Sequence, residues 1–430
     1  DKVDGKKVRK QSIEEEIKIA KRLLRIISSE RANDYNDWMN VGWALFNIGH
    51  GCKETLDLWL DFSKQCDEKF DENSCIHEWN QMVLKDMTLG TLKYFAKQDN
   101  PVDYQKFVDE NTERHVENSL EGSHNDIAKI LYENYSDEFI CGSIISKEWY
   151  QFKSHRWREV EEGVYLRSKI SADMIQHFIT LRNQFMEKQA ADTKIAEDKM
   201  WEEKRKQASR MINNLKSAPY KNNVMKEAQE VFYDEKFAKK LDSNRYLIGF
   251  NNGVYDLKKN IFRDGIPEDY ISMKMNVDYD VSLTENDPSV QDVHDFLEQI
   301  FPDTTVRNYF LDVSSDVFIG GNQRKLVMVW SGEGDNGKSV TQHIFEKMLG
   351  DYAIKLPTSL ITGKRTQASQ ACPELARAGN GVRWAVLQEP DSKDTINTGI
   401  LKELSGNDTF YARKLHKDGK EITPMFKLVL

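Results

Sequence analysis

Lys325-Leu326-Val327-Met328-Val329-Trp330-Ser331-Gly332-Glu333-Gly334-Asp335-Asn336-Gly337-Lys338-Ser339 decides the fold. Its first six residues are largely apolar and short enough for a buried parallel strand. The remainder fits GxxxxGK followed by Ser or Thr, with Gly332, Gly337, Lys338 and Ser339 at the fixed positions. Glycines at those places permit positive φ and let backbone N–H groups turn inward around a phosphate. Lys338 brings an ammonium to the terminal phosphates and Ser339 a hydroxyl to Mg²⁺. A helix expected over 339–349 aims its positive end at the anion. The stretch therefore predicts an ATP- and Mg²⁺-binding loop made of Gly332, Glu333, Gly334, Asp335, Asn336, Gly337, Lys338, Ser339 and Val340. The plain alternative is a structural glycine turn; a strand before it and an amphipathic helix after it weigh against that.

A phosphate loop needs an acid on a neighbouring strand. Val382-Arg383-Trp384-Ala385-Val386-Leu387-Gln388-Glu389 supplies one, an apolar strand ending in a carboxylate. Glu389 can orient an attacking water and accept its proton, which makes Lys338 and Glu389 the catalytic candidates. Gln388 stands where many such sites carry a second acid, so Ser339 and Glu389 are the metal-site candidates, helped by water. Next come a helix over 397–404 and a strand over 410–416. A Lys417-Asp418-Gly419-Lys420 turn comes after them, and Glu421-Ile422-Thr423-Pro424 returns the chain. Lys414, His416, Lys417 and Lys420 would sit on the tip. Read from the residues alone, this is either a phosphate-backbone contact or a solvated basic hairpin.

The 430 residues are 39% hydrophobic and 30% charged, with a net charge of −9, and the length suggests about three domains. A protein that bound nucleic acid over its whole surface would be basic, so any DNA contact must be local. No run approaches the roughly 18 apolar residues of a membrane span. Five scattered cysteines without a CxxC pair argue against a disulfide framework or a zinc ribbon. The first ten residues, charged and without an initiator Met, read as the middle of a longer chain.

Upstream, residues 11–100 read as a helical module in which Trp38, Trp43, Trp59 and Trp79 are core rather than stacking platforms. Asp99-Asn100-Pro101 reads as a turn and linker. Residues 123–290 read as an α+β domain. Strand-like stretches there include Trp149–Phe152, Trp157 and Val164–Leu166, then comes a solvated helical stretch over 171–215 and a hairpin over 247–257 with Asn252-Gly253 at its turn. From 292 onward helix and strand alternate, the α/β signature.

The loop, then Arg383 to Glu389, then Leu401-Lys402-Glu403-Leu404-Ser405-Gly406-Asn407-Asp408, Ala412-Arg413 and Phe426-Lys427-Leu428 together resemble the superfamily 3 helicases. The version is similar to the primase–helicases of large nucleocytoplasmic DNA viruses, the poxvirus, asfarvirus and giant-virus relatives, and of some phages. Residues 20–98 resemble the helical primase C-terminal module, and 123–290 the domain preceding the helicase. The resemblance implies a multidomain α/β protein whose 292–430 part is an incomplete AAA+-type P-loop domain. It implies a homo-hexamer moving along single-stranded or forked DNA, usually 3′ to 5′, with other viral replication proteins in a replication factory of the host cytoplasm. Lys402 joins Lys414, His416, Lys417 and Lys420 in the implied DNA-translocation element. A primase domain is expected before residue 1; a sensor Asn and a trans-acting arginine finger are expected beyond Leu430. On that expectation these residues alone hydrolyse ATP slowly. Two other readings stay open, a DNA-dependent AAA+ switch or packaging ATPase that separates no strands, and a scaffold whose ATP site only sets assembly.

Overall fold

The computed structural model describes residues 12–85, 87–191, 195–362, 373–379, 381–391, 393–412 and 420–430. Two compact units divide the chain. The first takes residues up to 152 with 158–235 and 266–268; the second takes 153–157, 236–265 and 269–430.

The first unit is built on helices. Ile13–Leu23 opens with a capping box, in which Ser12 accepts from the Glu15 N–H and Glu15 reaches back to the Ser12 N–H. Tyr35–Gly49 is capped by Asp34 and Glu72–Gln81 by Asp71, each carboxylate accepting from two backbone N–H groups. These helices and Lys53–Ser63 enclose Trp59, fully buried, with the Trp38 ring stacked on it at 4.6 Å and Trp79 tilted at 5.5 Å. The tryptophans are core. Asp99-Asn100-Pro101 is a tight joint and no spacer, because Asp99 pairs with Arg31 at 2.7 Å and Pro101 is the first residue of helix Pro101–Asn118.

Strands β1 (Phe139–Ser143), β2 (Glu148–Lys153) and β3 (Arg156–Val160) come next as an antiparallel meander. Two expectations fail beyond it. Val164–Leu166 is not strand but the start of helix Val164–Ser171, since Leu166 and Ile170 are buried four residues apart while Val164 and Tyr165 face out. The stretch over 171–215 is helical, as Asp173–Ala191 and Ile195–Lys216, but it is not merely solvated. Met174, Phe178, Phe185, Ala208, Met211 and Leu215 carry one core of the unit, with the charges on the outer faces.

Most of the second unit follows Lys236, with residues 153–157 added from upstream. Strands β4 (Leu247–Gly249), β5 (Val254–Asp256) and β6 (Ile261–Arg263) form a small antiparallel sheet. Tyr352 ties this sheet to the rest of the unit: its hydroxyl accepts from the Gly249 N–H at 2.8 Å and donates to the Met273 carbonyl at 3.2 Å. Gly253 keeps negative φ in the turn; a Cβ there would lie 2.6 Å from the Phe262 ring, so space and not backbone hand requires the glycine.

The main sheet has four parallel strands in the order β7 (Val327–Met328), β12 (Lys427–Val429), β9 (Trp384–Leu387), β8 (Ala353–Leu356). The expected buried strand over 325–330 is shorter and sits at the edge. It pairs on one side only, so Val329 is 64% exposed while all of β9 and β12 is buried. Between β9 and β12 lies an antiparallel pair, β10 (Phe410–Ala412) with β11 (Lys420–Ile422).

Candidate nucleotide-binding site

Helix Lys338–Leu349 fixes the back of the loop. Its inner face places Thr341, Phe345, Met348 and Leu349 at helical spacing, and Phe345 stacks on Trp384 of β9 at 4.8 Å and 9°. Trp330, at the front, meets Trp384 at 5.8 Å. The loop between is therefore clamped at both ends by aromatic packing, although residues 331–336 are exposed.

Inside the loop the backbone does what the spacing demands. Gly337 is the helix N-cap at φ +79, and a Cβ on it would stand 2.8 Å from Ile300 Cδ1. Asp335 also takes positive φ, at 57°. A Cβ on Gly332 would meet the end of the Asn336 side chain; around Gly334 there is nothing within 4 Å. No side chain caps the helix start, which leaves its first N–H groups for a ligand. The Lys338 ammonium donates to the Gly332 carbonyl at 2.9 Å, the Glu333 carbonyl at 3.4 Å and Asn336 Oδ1 at 2.9 Å. Ser339 and Val340 are exposed on the first turn. Donors of this kind converging on an open loop suit a polyphosphate.

Glu389 lies on a strand that is not the immediate neighbour of β7. β12 is inserted between them, with Met328 opposite Val429 and Val429 opposite Val386. Three adjacent parallel strands therefore end on the same side of the sheet, with the loop following β7 and Gln388-Glu389 following β9. Open α/β sheets bind ligands beyond these carboxyl ends. Gln388 and Glu389 are exposed, and the Gln388 carbonyl accepts from the Thr358 hydroxyl at 2.7 Å. Among the described residues no group of three or more His, Cys, Asp or Glu could hold a metal.

Lys402 is exposed on helix Thr398–Ser405, which Asn397 caps. Lys414, His416 and Lys417 lie outside the described residues, as does the side chain of Lys420, whose backbone belongs to β11. A pair of amides missed in the sequence ties this hairpin to the loop strand. Asn407 Oδ1 accepts from the Asn322 N–H at 2.6 Å and its Nδ2 donates to the Asn322 carbonyl at 2.8 Å. Asn322 in turn exchanges two bonds with Leu326, just before β7. Asn407 was visible inside the Leu401–Asp408 motif, but nothing in the sequence marks Asn322.

The opposite end of the sheet is a buried cationic floor. Arg383 donates to the Asn244 and Leu247 carbonyls at 3.2 and 3.3 Å, and burial lowers its pKa. Lys427 donates to the Asp316 and Ile319 carbonyls, and burial followed by the nearby Arg383 charge brings it down to about 8. Burial pushes the Asp242 carboxyl up against hydrogen bonds from Ser272 and Met273. This end holds strands in place and is chemically separate from the loop.

Residues 20–96 match the family described as Primase C terminal 2 (PriCT-2), and 128–302 the family described as D5 N terminal like. The chain is 37% identical over 417 residues to "Putative helicase L207/L206" of Acanthamoeba polyphaga mimivirus, covering 96% of this chain and 43% of that protein. It belongs to the primase–helicase family of large DNA viruses. Another member, "Putative helicase 121R" of Invertebrate iridescent virus 3, is 35% identical over 97% of this chain and 48% of its own length. "Putative primase C962R" of African swine fever virus (isolate Tick/Malawi/Lil 20-1/1983) is 24% identical over 92% of this chain and 43% of its own length. The chain thus spans about half the length of these relatives. No helix among the described residues is long and apolar enough to cross a membrane.

Proposed function

We propose that the chain carries the ATP site of a viral replicative helicase, an AAA+-type P-loop domain that converts ATP hydrolysis into movement along single-stranded DNA and separation of duplex. The observation that carries this is the placement of the Gly332–Ser339 loop and Glu389 at one edge of the four-stranded parallel sheet, with β12 between them. Lys338 would neutralise the terminal phosphates, and the helix N–H groups would cradle them. Ser339 and Glu389 would face the bound Mg²⁺, which supplies charge neutralisation on the phosphates. Glu389 would align the attacking water and take its proton. The Asn322–Asn407 link gives a path from the loop strand to the β10–β11 hairpin, where Lys414, His416 and Lys417 between the strands, Lys420 on β11 and not at the tip, and Lys402 would grip the DNA backbone. A homo-hexameric ring, further replication proteins as partners and work in the host cytoplasm complete the proposal, on the strength of the family.

The test is binding of a fluorescent ATP analogue with Mg²⁺, followed by single-turnover hydrolysis and single-stranded DNA binding. Lys338→Ala should lose nucleotide. Glu389→Gln should keep it while hydrolysis falls on the order of a hundredfold or more. Lys417→Ala with Lys420→Ala should weaken DNA binding and leave nucleotide affinity intact. Nucleotide binding without any effect on DNA affinity, or on a forked duplex, would favour a switch ATPase over a helicase.

A further inference from the structure

An ammonium has three N–H donors, and in Lys338 all three are engaged by the loop itself. Two acceptors, the Gly332 and Glu333 carbonyls, are backbone and keep their places as long as the loop keeps its shape. The third, Asn336 Oδ1, is on a side chain that can rotate away. The same carboxamide spans the loop, since its Nδ2 lies where a Cβ on Gly332 would be. A phosphate oxygen reaching Lys338 must therefore replace an acceptor, and only one of the three is replaceable without refolding the loop.

We propose that Asn336 is an internal placeholder for phosphate. Its Oδ1 occupies the ammonium's third donor until nucleotide arrives and swings out when it does, so the loop is held open and correctly shaped at some cost in affinity. This rests on the nucleotide-binding reading and adds its regulation. Asn336 thus competes with the ligand, which reverses the sign expected of a residue that merely supports the loop.

The experiment measures Kd for the fluorescent ATP analogue with Mg²⁺ in the 430-residue chain. Asn336→Ala should tighten binding up to about tenfold, the worth of a hydrogen bond to a charged group. Asn336→Asp should weaken it by at least as much, because a carboxylate pairs more strongly with Lys338 and repels phosphate. A residue that only supported the loop would give the opposite sign for Asn336→Ala. Both substitutions weakening binding, or Asn336→Ala leaving it unchanged, would overturn the placeholder while leaving the nucleotide site standing. A parent chain that binds no nucleotide would overturn both.

Discussion

Replacing Gly337 by Ala tests the loop where its geometry is tightest. The residue has φ +79, and the added methyl would lie 2.8 Å from Ile300 Cδ1 and 3.0 Å from Cγ1. Positive φ in a residue with a side chain costs roughly 1–3 kcal/mol. Overpacking adds about 1 kcal/mol more, at the low end because Ile300 is only partly buried at the end of helix Pro288–Ile300. The total is about 2–4 kcal/mol. It should be relieved by the exposed loop and not by the aromatic clamp behind it, so the melting temperature should hardly move. At about 1.4 kcal/mol per factor of ten, affinity for the ATP analogue should fall roughly 30-fold or more. Adding Ile300→Ala removes both close contacts but not the backbone strain, so it should restore only part of the loss. Binding by Gly337→Ala within threefold of the parent, or no recovery in the double variant, would refute the reasoning.

Two further predictions concern the frame. Gly42 lies inside helix Tyr35–Gly49 with its missing Cβ 2.7 Å from Trp59 Cε2 and 2.8 Å from Met82 Cε. Gly42→Ala gains about 1 kcal/mol of helix propensity but overpacks a rigid indole by about 1–3 kcal/mol. Thermal melts should show net loss, and a more stable variant would sink the argument. Lys427 titrates at about 8 when folded against an ordinary lysine value of 10.5, so the unfolded chain binds the extra proton between those values. Its contribution to stability should therefore rise with pH across that window, by about 3 kcal/mol in all. Lys427→Met should lack that rise in denaturant titrations run at about pH 8 and pH 10; a parallel pH response in both proteins would contradict it.

The sequence by itself determined the backbone of the loop and the local elements around it. Gly337 and Lys338 are legible because the motif is local: its spacing fixes backbone hand and donor placement within a single turn of chain. The same holds for the helix that starts after Asn397, for the β10–β11 pair, and for Trp59 as core. What failed was whatever depended on distant partners. Val164–Leu166 looked like strand because three residues cannot distinguish alternation from one helical turn. The 171–215 stretch looked solvated because its charges hid a buried seam that only two antiparallel helices complete. Residues 325–330 looked buried because an apolar run does not state whether it has one neighbour or two. Tertiary structure alone placed β12 between the loop strand and Glu389, paired Asn322 with Asn407 across 85 residues, and turned Asn336 onto Lys338. Those contacts depend on which strand ends meet at the sheet edge, a property of the assembled sheet that no window of sequence contains.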